Sequence, residues 1–210
     1  MSSSSSERGA GMTEAIGAIL LAGGRGSRMG GIHKPLLEVG GTTLLDAALR
    51  AAREAGSDPV IEVGPPDDAH AGVTWVREEP PFTGPAAAIV AAVPHVRAPW
   101  TLVLACDLAR APEVVRILGA AARGQDGVCL VDESGRRQWL AGLYRTAALH
   151  DAAAAIPDAG RNASVRALLG GLAITEVAAY AAVAFDIDTW DDLNTARRAE
   201  RESGRTEEES

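Results

Sequence analysis

The chain has 210 residues, enough for one domain with a substantial hydrophobic core, and a formal net charge of −8. That acidic balance argues against a general nucleic-acid or anionic-membrane binder, and no apolar run approaches the roughly 20 residues a membrane helix needs. Apolar residues make up 47%, chiefly Ala, Val and Leu with few aromatics, a mix that suits helices packed closely on a sheet.

Residues 1–13 are serine-rich and lack an apolar segment, so a disordered extension is expected there and not a secretory signal. AIGAILLAG (15–23) is a continuous apolar run ending in glycine, which predicts a central parallel strand. TTLLDAALRAAREAG (42–56) has helical spacing, with Thr43 as N-cap and Gly56 as stop. Short strands are expected at 59–63 and 73–76, a helix at 85–93, and a buried strand at 100–107 that runs into Asp107. Proline at the first position marks a helix over 112–124. Strands at 127–132 and 138–145 flank the turn DESG, and helices follow at 146–156 and 163–171. LAITEV and AAVAFDID read as strands, and WDDLNTARRAERE (190–202) as a closing helix. This alternation predicts a Rossmann-like three-layer α/β/α sandwich with a mostly parallel sheet, as a single domain over 14–202 followed by a disordered acidic tail at 203–210. Cys106 and Cys129 each lie inside an apolar strand-like run. They read as buried, reduced thiols, which places the protein in the cytoplasm.

The densest functional signal is LAGGRGSRMGGIHKPLL (21–37). Glycines at 23, 24, 26, 30 and 31 alternate with Arg25, Arg28 and Lys34, and no acidic residue falls between Ala15 and Leu37. Glycines let backbone N–H groups converge on a phosphate, and the cations supply charge against a triphosphate. Neither a Walker A run nor a correctly spaced dinucleotide fingerprint is present, and Pro35 prevents a helix from running straight through. Asp107 stands at the carboxyl end of a buried strand, where open α/β sheets bind ligands and where a carboxylate can hold Mg2+.

LAGGRGSRMGG-x-x-K resembles the signature LAGGxGxRMGGxDKxLL of the molybdenum cofactor guanylyltransferases, and the similarity extends from about Ile16 to Leu193. The chain departs from that pattern at His33, where the family has aspartate, and at Leu108 and Ala109, where it has Met-Pro. His33 reads as a loop residue and not a catalyst. The resemblance implies transfer of a nucleotide from an NTP to a phosphorylated acceptor with release of pyrophosphate. GTP as donor, molybdopterin as acceptor and Mg2+ as cofactor are implied with it. Arg28, Lys34 and Asp107 become the expected catalytic residues. Leu21, Ala22, Gly23, Gly24, Gly26, Lys34, Glu79, Gly84 and Asp107 become the nucleotide-binding set, with Asp107 and Asp188 as metal ligands.

Alternatives stay open at several positions. Glu78 can stand in place of Glu79 in the acidic segment before Gly84-Pro85. Asp186 competes with Asp188 for the metal role, and Asp188 or Thr189 can instead cap the last helix. Arg161, Asn162 and Arg166 resemble the family's acceptor-phosphate segment, and Trp139 and Trp190 can stack on a ring or pack. The Leu-Ala-Gly-Gly strand end is similar to the GTP-using branch, whereas FDIDTWDDL is closer to the cytidylyltransferases that act on the same cofactor. A cytidylyltransferase, a sugar- or metabolite-phosphate nucleotidyltransferase and a non-catalytic nucleotide-binding homologue are therefore the competing readings. A monomer or weak homodimer is expected.

Overall fold

A computed structural model describes residues 14–24, 29–30, 32–65, 70–179 and 186–208. The first apolar run becomes β1 (Ile16–Leu21), followed by a two-stranded hairpin of β2 (Glu38–Val39) and β3 (Thr42–Thr43). Thr43 then starts α1 (Leu44–Glu54), accepting the Asp46 N–H at 3.0 Å while its hydroxyl donates to the Asp46 carboxylate at 2.6 Å. A cap of this kind stabilises a helix by about 1 kcal/mol. β4 (Ser57–Val63), β5 (Val73–Val76), α2 (Pro85–Ala92), β6 (Trp100–Ala105) and α3 (Ala111–Ala120) follow. β7 (Gly127–Val131) and β8 (Arg137–Arg145) form the expected antiparallel pair. α4 (Thr146–Ala155), α5 (Val165–Leu169), β9 (Ile174–Ala178) and α6 (Trp190–Glu208) complete the chain.

Seven strands make one mixed sheet in the order β5-β4-β1-β6-β8-β7-β9. Only β8 runs against its neighbours; the other pairings are parallel. Side chains on a strand alternate between faces, and the core divides accordingly. Ala18, Leu20, Leu102, Leu104, Val128 and Leu130 face one way and pack with Leu45 and Leu49 of α1 and Val114 and Leu118 of α3. Ile19, Leu21, Val103 and Cys129 face the other way, against Ile89 of α2, Leu149 of α4 and Leu169 of α5. Each Leu, Ile or Val side chain among them contributes about 1.5–3 kcal/mol when fully buried. The result is the three-layer sandwich, with both cysteines buried and free.

A third cluster joins the chain ends. Ile187, Leu193 and Ala196 pack on Met29 and Leu44, and Arg197 donates to the Glu38 carbonyl at 2.9 Å. The last helix thereby lies beside the residues that follow the glycine loop.

Several elements differ from the sequence expectation: the β2–β3 hairpin was not foreseen, β4 begins at Ser57, and α5 covers only Val165–Leu169 of the helix expected over 163–171. α3 stops at Ala120 and not at residue 124. Of the strand expected around AAVAFDID, residues 180–185 lie outside the described residues, and Asp186 makes an isolated antiparallel bridge to Leu108. The closing helix runs on to Glu208, past the expected end at 202 and through most of the expected tail. Among the described residues no helix is long and apolar enough to cross a membrane.

Candidate active site

From β1 the chain moves outward to β4 and β5, then returns through α2 to β6 on the opposite side of β1. That reversal opens a crevice beyond the carboxyl ends of β1 and β6, where open α/β sheets take ligands. The glycine loop leaves β1 there, and Asp107 lies two residues beyond the end of β6.

The crevice holds a cleft of about 500 Å³ lined by Leu21, Gly23, Gly24, Lys34, Gly84 and Asp107, with Asp188 at its edge. A Cβ added at Gly24 would meet no described atom within 4 Å. Packing within the described protein therefore does not demand glycine there, and the room it leaves belongs to the cleft. Gly84, the N-cap of α2, has φ of 105°, a conformation that L side chains avoid. It turns the chain so that the start of α2 borders the cleft, as suits an anion.

Lys34 starts a short 3-10 turn with Pro35, and its Nζ lies 2.5 Å from Asp188 Oδ1 and 3.8 Å from Asp107 Oδ2. The question of which residue caps α6 is settled by hydrogen bonds. Thr189 Oγ1 accepts from Asp192 N at 3.2 Å, while the Asp192 carboxylate accepts from the N–H groups of Thr189 and Asp188 at 2.7 and 3.0 Å. Thr189 and Asp192 cap the helix between them, leaving the Asp188 side chain for Lys34. Ile187 anchors the segment from below, fully buried and donating to the Asp107 carbonyl at 3.0 Å.

Burial raises the Asp107 carboxyl above its ordinary range, with Lys34 pulling it back and Asp188 pushing it up. Burial, reinforced by Asp107 and Asp188, raises Asp186 to about 6. The folded state then holds the Asp186 proton at a pH where the unfolded chain has released it, so stability falls as pH rises from 3.8 toward about 6. In metal-free protein, Asp186→Asn is expected to raise the melting midpoint at about pH 7, with the gain fading below about pH 4. Midpoints of the two proteins that track in parallel across that range would contradict the carboxylate crowding.

A second cleft of about 870 Å³ adjoins the first and shares Pro85, Ala105, Asp107 and Leu140 with it. Arg136, Arg137, Gln138, Trp139, Arg166 and Asp186 line it. Of the residues foreseen near an acceptor, Arg166 and Trp139 are in this cleft. Arg161, Asn162 and Trp190 line neither cleft, and Asn162 instead donates its N–H to the Thr83 carbonyl at 2.7 Å.

Within the nucleotide-binding set, Glu78 and not Glu79 lines the first cleft, and its carboxylate accepts the Phe82 N–H at 2.8 Å. Glu79 is exposed, one position further along an irregular loop. Ala22 is fully buried behind the cleft and does not line it. Gly26 and Arg28 lie outside the described residues. Sequence reasoning missed Phe82, a cleft-lining ring that is 45% exposed at φ of 64°, with the Arg77 guanidinium 5.4 Å from its centroid. A phenylalanine inside a proline-rich loop was the available signal. Arg136 and Arg137 were missed as well, since an arginine pair after a turn looks like ordinary surface.

The sequence model of the MobA-like NTP transferase domain matches residues 18–174. The molybdenum cofactor guanylyltransferase of Shewanella sp. (strain MR-4) is 29% identical over 155 residues, 72% of this chain and 79% of that protein. That of Pseudomonas putida (strain GB-1) is 33% identical over 117 residues, 54% of this chain and 61% of that one. Among solved structures, the nucleotidyl transferase Mth528 from Methanothermobacter thermautotroptrophicus superposes with a TM-score of 0.69 at 21% identity, covering 90% of this chain and 99% of that one. At that identity the likeness speaks for the fold.

Proposed function

The chain belongs to the MobA-like NTP transferase domain family, and from that premise we propose that it transfers GMP from GTP to the phosphate of a molybdopterin-type acceptor, releasing pyrophosphate. The observation that carries this reading is the meeting of the two clefts at Asp107. One cleft has glycine backbone and a lysine for a triphosphate; the other has arginines and a tryptophan for an anionic acceptor with a ring.

No side-chain nucleophile is needed. An acceptor phosphate oxygen in the second cleft attacks the α-phosphorus in line. A phosphorus–oxygen bond forms as the bond to the pyrophosphate breaks, and negative charge builds on the leaving group. In this reading Lys34 and the Gly23 and Gly24 backbone, which line the first cleft, meet that charge, so positioning and electrostatics carry the rate. The carboxylates of Asp107 and Asp188 already converge on the Lys34 ammonium, so the place accommodates a cation. Among the described residues no group of three or more His, Cys, Asp or Glu is arranged to hold a metal ion. A pair of carboxylates nevertheless suits Mg2+, which is usually bound by one or two carboxylates with phosphate oxygens and water. When bound, magnesium would neutralise triphosphate charge.

For the donor base, the open space beside Gly24 suits a purine edge, with Gly84 and Pro85 closing its other side. GTP is expected to bind at least about 10-fold more tightly than CTP, a gap of roughly 1.4 kcal/mol. The aspartates of the FDID segment favour the cytidylyltransferase reading, but Asp188 pairs with Lys34, the cation this reading assigns to the triphosphate, and on that assignment it leaves the base to other residues. Competition binding at fixed magnesium decides the matter, and a preference for CTP would install the cytidylyltransferase reading instead. GTP binding without pyrophosphate release, across a panel of phosphorylated acceptors, would leave a non-catalytic homologue.

A further inference from the structure

The end of β1 is held on both sides. The Leu21 carbonyl accepts from Cys106 N at 3.1 Å, and Ala22 N donates to the Val63 carbonyl at 2.9 Å. The next carbonyl, that of Ala22, lies past the last ladder residue. Among the described residues, the hydrogen bond it accepts comes from the His33 ring, with Nε2 at 2.7 Å. A carbonyl can only accept, so Nε2 carries the hydrogen and donates. His33 thus takes the place of the missing strand partner, although it lies 11 residues further along the chain.

In a trans peptide the C=O and N–H point in opposite directions across one rigid plane. Holding the Ala22 carbonyl therefore fixes the Gly23 N–H, directed away from His33. The Ala22 side chain is fully buried, so rotation of this peptide about its neighbouring single bonds is the main freedom left. Gly23, with no side chain of its own, would otherwise permit that rotation. We propose that His33 is a positioning residue: it pins the Ala22–Gly23 peptide and so presets the Gly23 amide as a donor to a phosphate of the bound nucleotide. The assignment rests on the nucleotidyltransferase reading. The same bond ties the turn carrying Lys34 to the start of the loop, so one imidazole aligns a backbone donor and a cation.

The test compares His33→Gln, His33→Asn and His33→Leu in the full chain. Glutamine can place an amide N–H where Nε2 stands; asparagine is too short, and leucine has no donor. Two measurements are made: the 15N amide resonance of Gly23 without ligand, and calorimetric binding of GTP with Mg2+. The Gly23 resonance is expected to stay sharp in wild type and His33→Gln and to broaden in His33→Asn and His33→Leu. GTP affinity should fall about 10-fold in the last two and stay within about 3-fold of wild type in His33→Gln. If His33→Leu fails to fold, the Gln and Asn pair decides. Affinity and resonance unchanged in His33→Asn, or a loss of melting temperature alone, would overturn the proposal. Wild type that shows the pinned Gly23 resonance yet binds no nucleoside triphosphate overturns the functional reading, and with it the use assigned to that amide, while the peptide restraint itself stands.

Discussion

Asp107→Asn is expected to lower the magnesium-dependent rate of pyrophosphate release by about 100-fold or more while leaving the protein folded. The side chain sits where the two clefts meet, 3.8 Å from the Lys34 ammonium. Asparagine keeps its size and removes its charge. Burial already raises this carboxyl, and Asp188 repels it, so neutralising it relieves crowding and should not cost stability. A melting midpoint at or above that of wild type, together with the rate loss, makes the result a statement about charge in the site. A folded Asp107→Asn protein that turns over at the wild-type rate would remove Asp107 from the reaction.

Lys34→Ala is expected to weaken GTP binding by about 10-fold or more, the scale of a charged hydrogen bond worth about 1.5–3 kcal/mol. Lys34 is the only lysine in the chain, and its ammonium is the countercharge for Asp188 and Asp107. Its removal deprives an incoming triphosphate of a partner and also exposes it to those carboxylates, so both effects act in one direction. Lys34→Met, which keeps most of the stem, should lose as much as Lys34→Ala if charge is responsible. Calorimetry at fixed magnesium measures this. Wild-type affinity in either variant would dismiss Lys34 as a phosphate contact.

Much of this architecture was legible in the sequence because its causes are local. Continuous apolar runs marked β1 and β6 as buried parallel strands. Thr43 before a helical pattern announced a cap, and the structure places the cap there. The glycine loop, Lys34-Pro35 and Asp107 at a strand end are patterns of neighbouring residues, and the topology brings Gly23, Gly24, Lys34 and Asp107 to one cleft.

What remained open depended on contacts between distant segments. Lys34 and Asp188 are 154 residues apart. Their meeting requires Ile187 and Leu193 to pack on Met29 and Leu44, an arrangement with no periodic signature. Whether Asp188 capped a helix or faced the site turned on Thr189 and Asp192, whose mutual hydrogen bonds form the cap while the Asp188 carboxylate meets Lys34. Glu78 and Glu79 are chemically equivalent in the sequence. The bond from Phe82 N to Glu78 Oε1 separates them, because in an irregular loop no repeat dictates which side chain turns inward. His33 looked like a departure from a motif until the fold placed its ring against the Ala22 carbonyl. Sequence by itself determined the layered α/β fold, the glycine-rich and cationic make-up of the loop and the aspartate at the strand end, since burial period, capping and local charge act over a few residues. Tertiary structure alone decided which carboxylates gather around Lys34, which glutamate enters the cleft and what His33 holds, since those are consequences of side-chain packing between segments far apart in the chain.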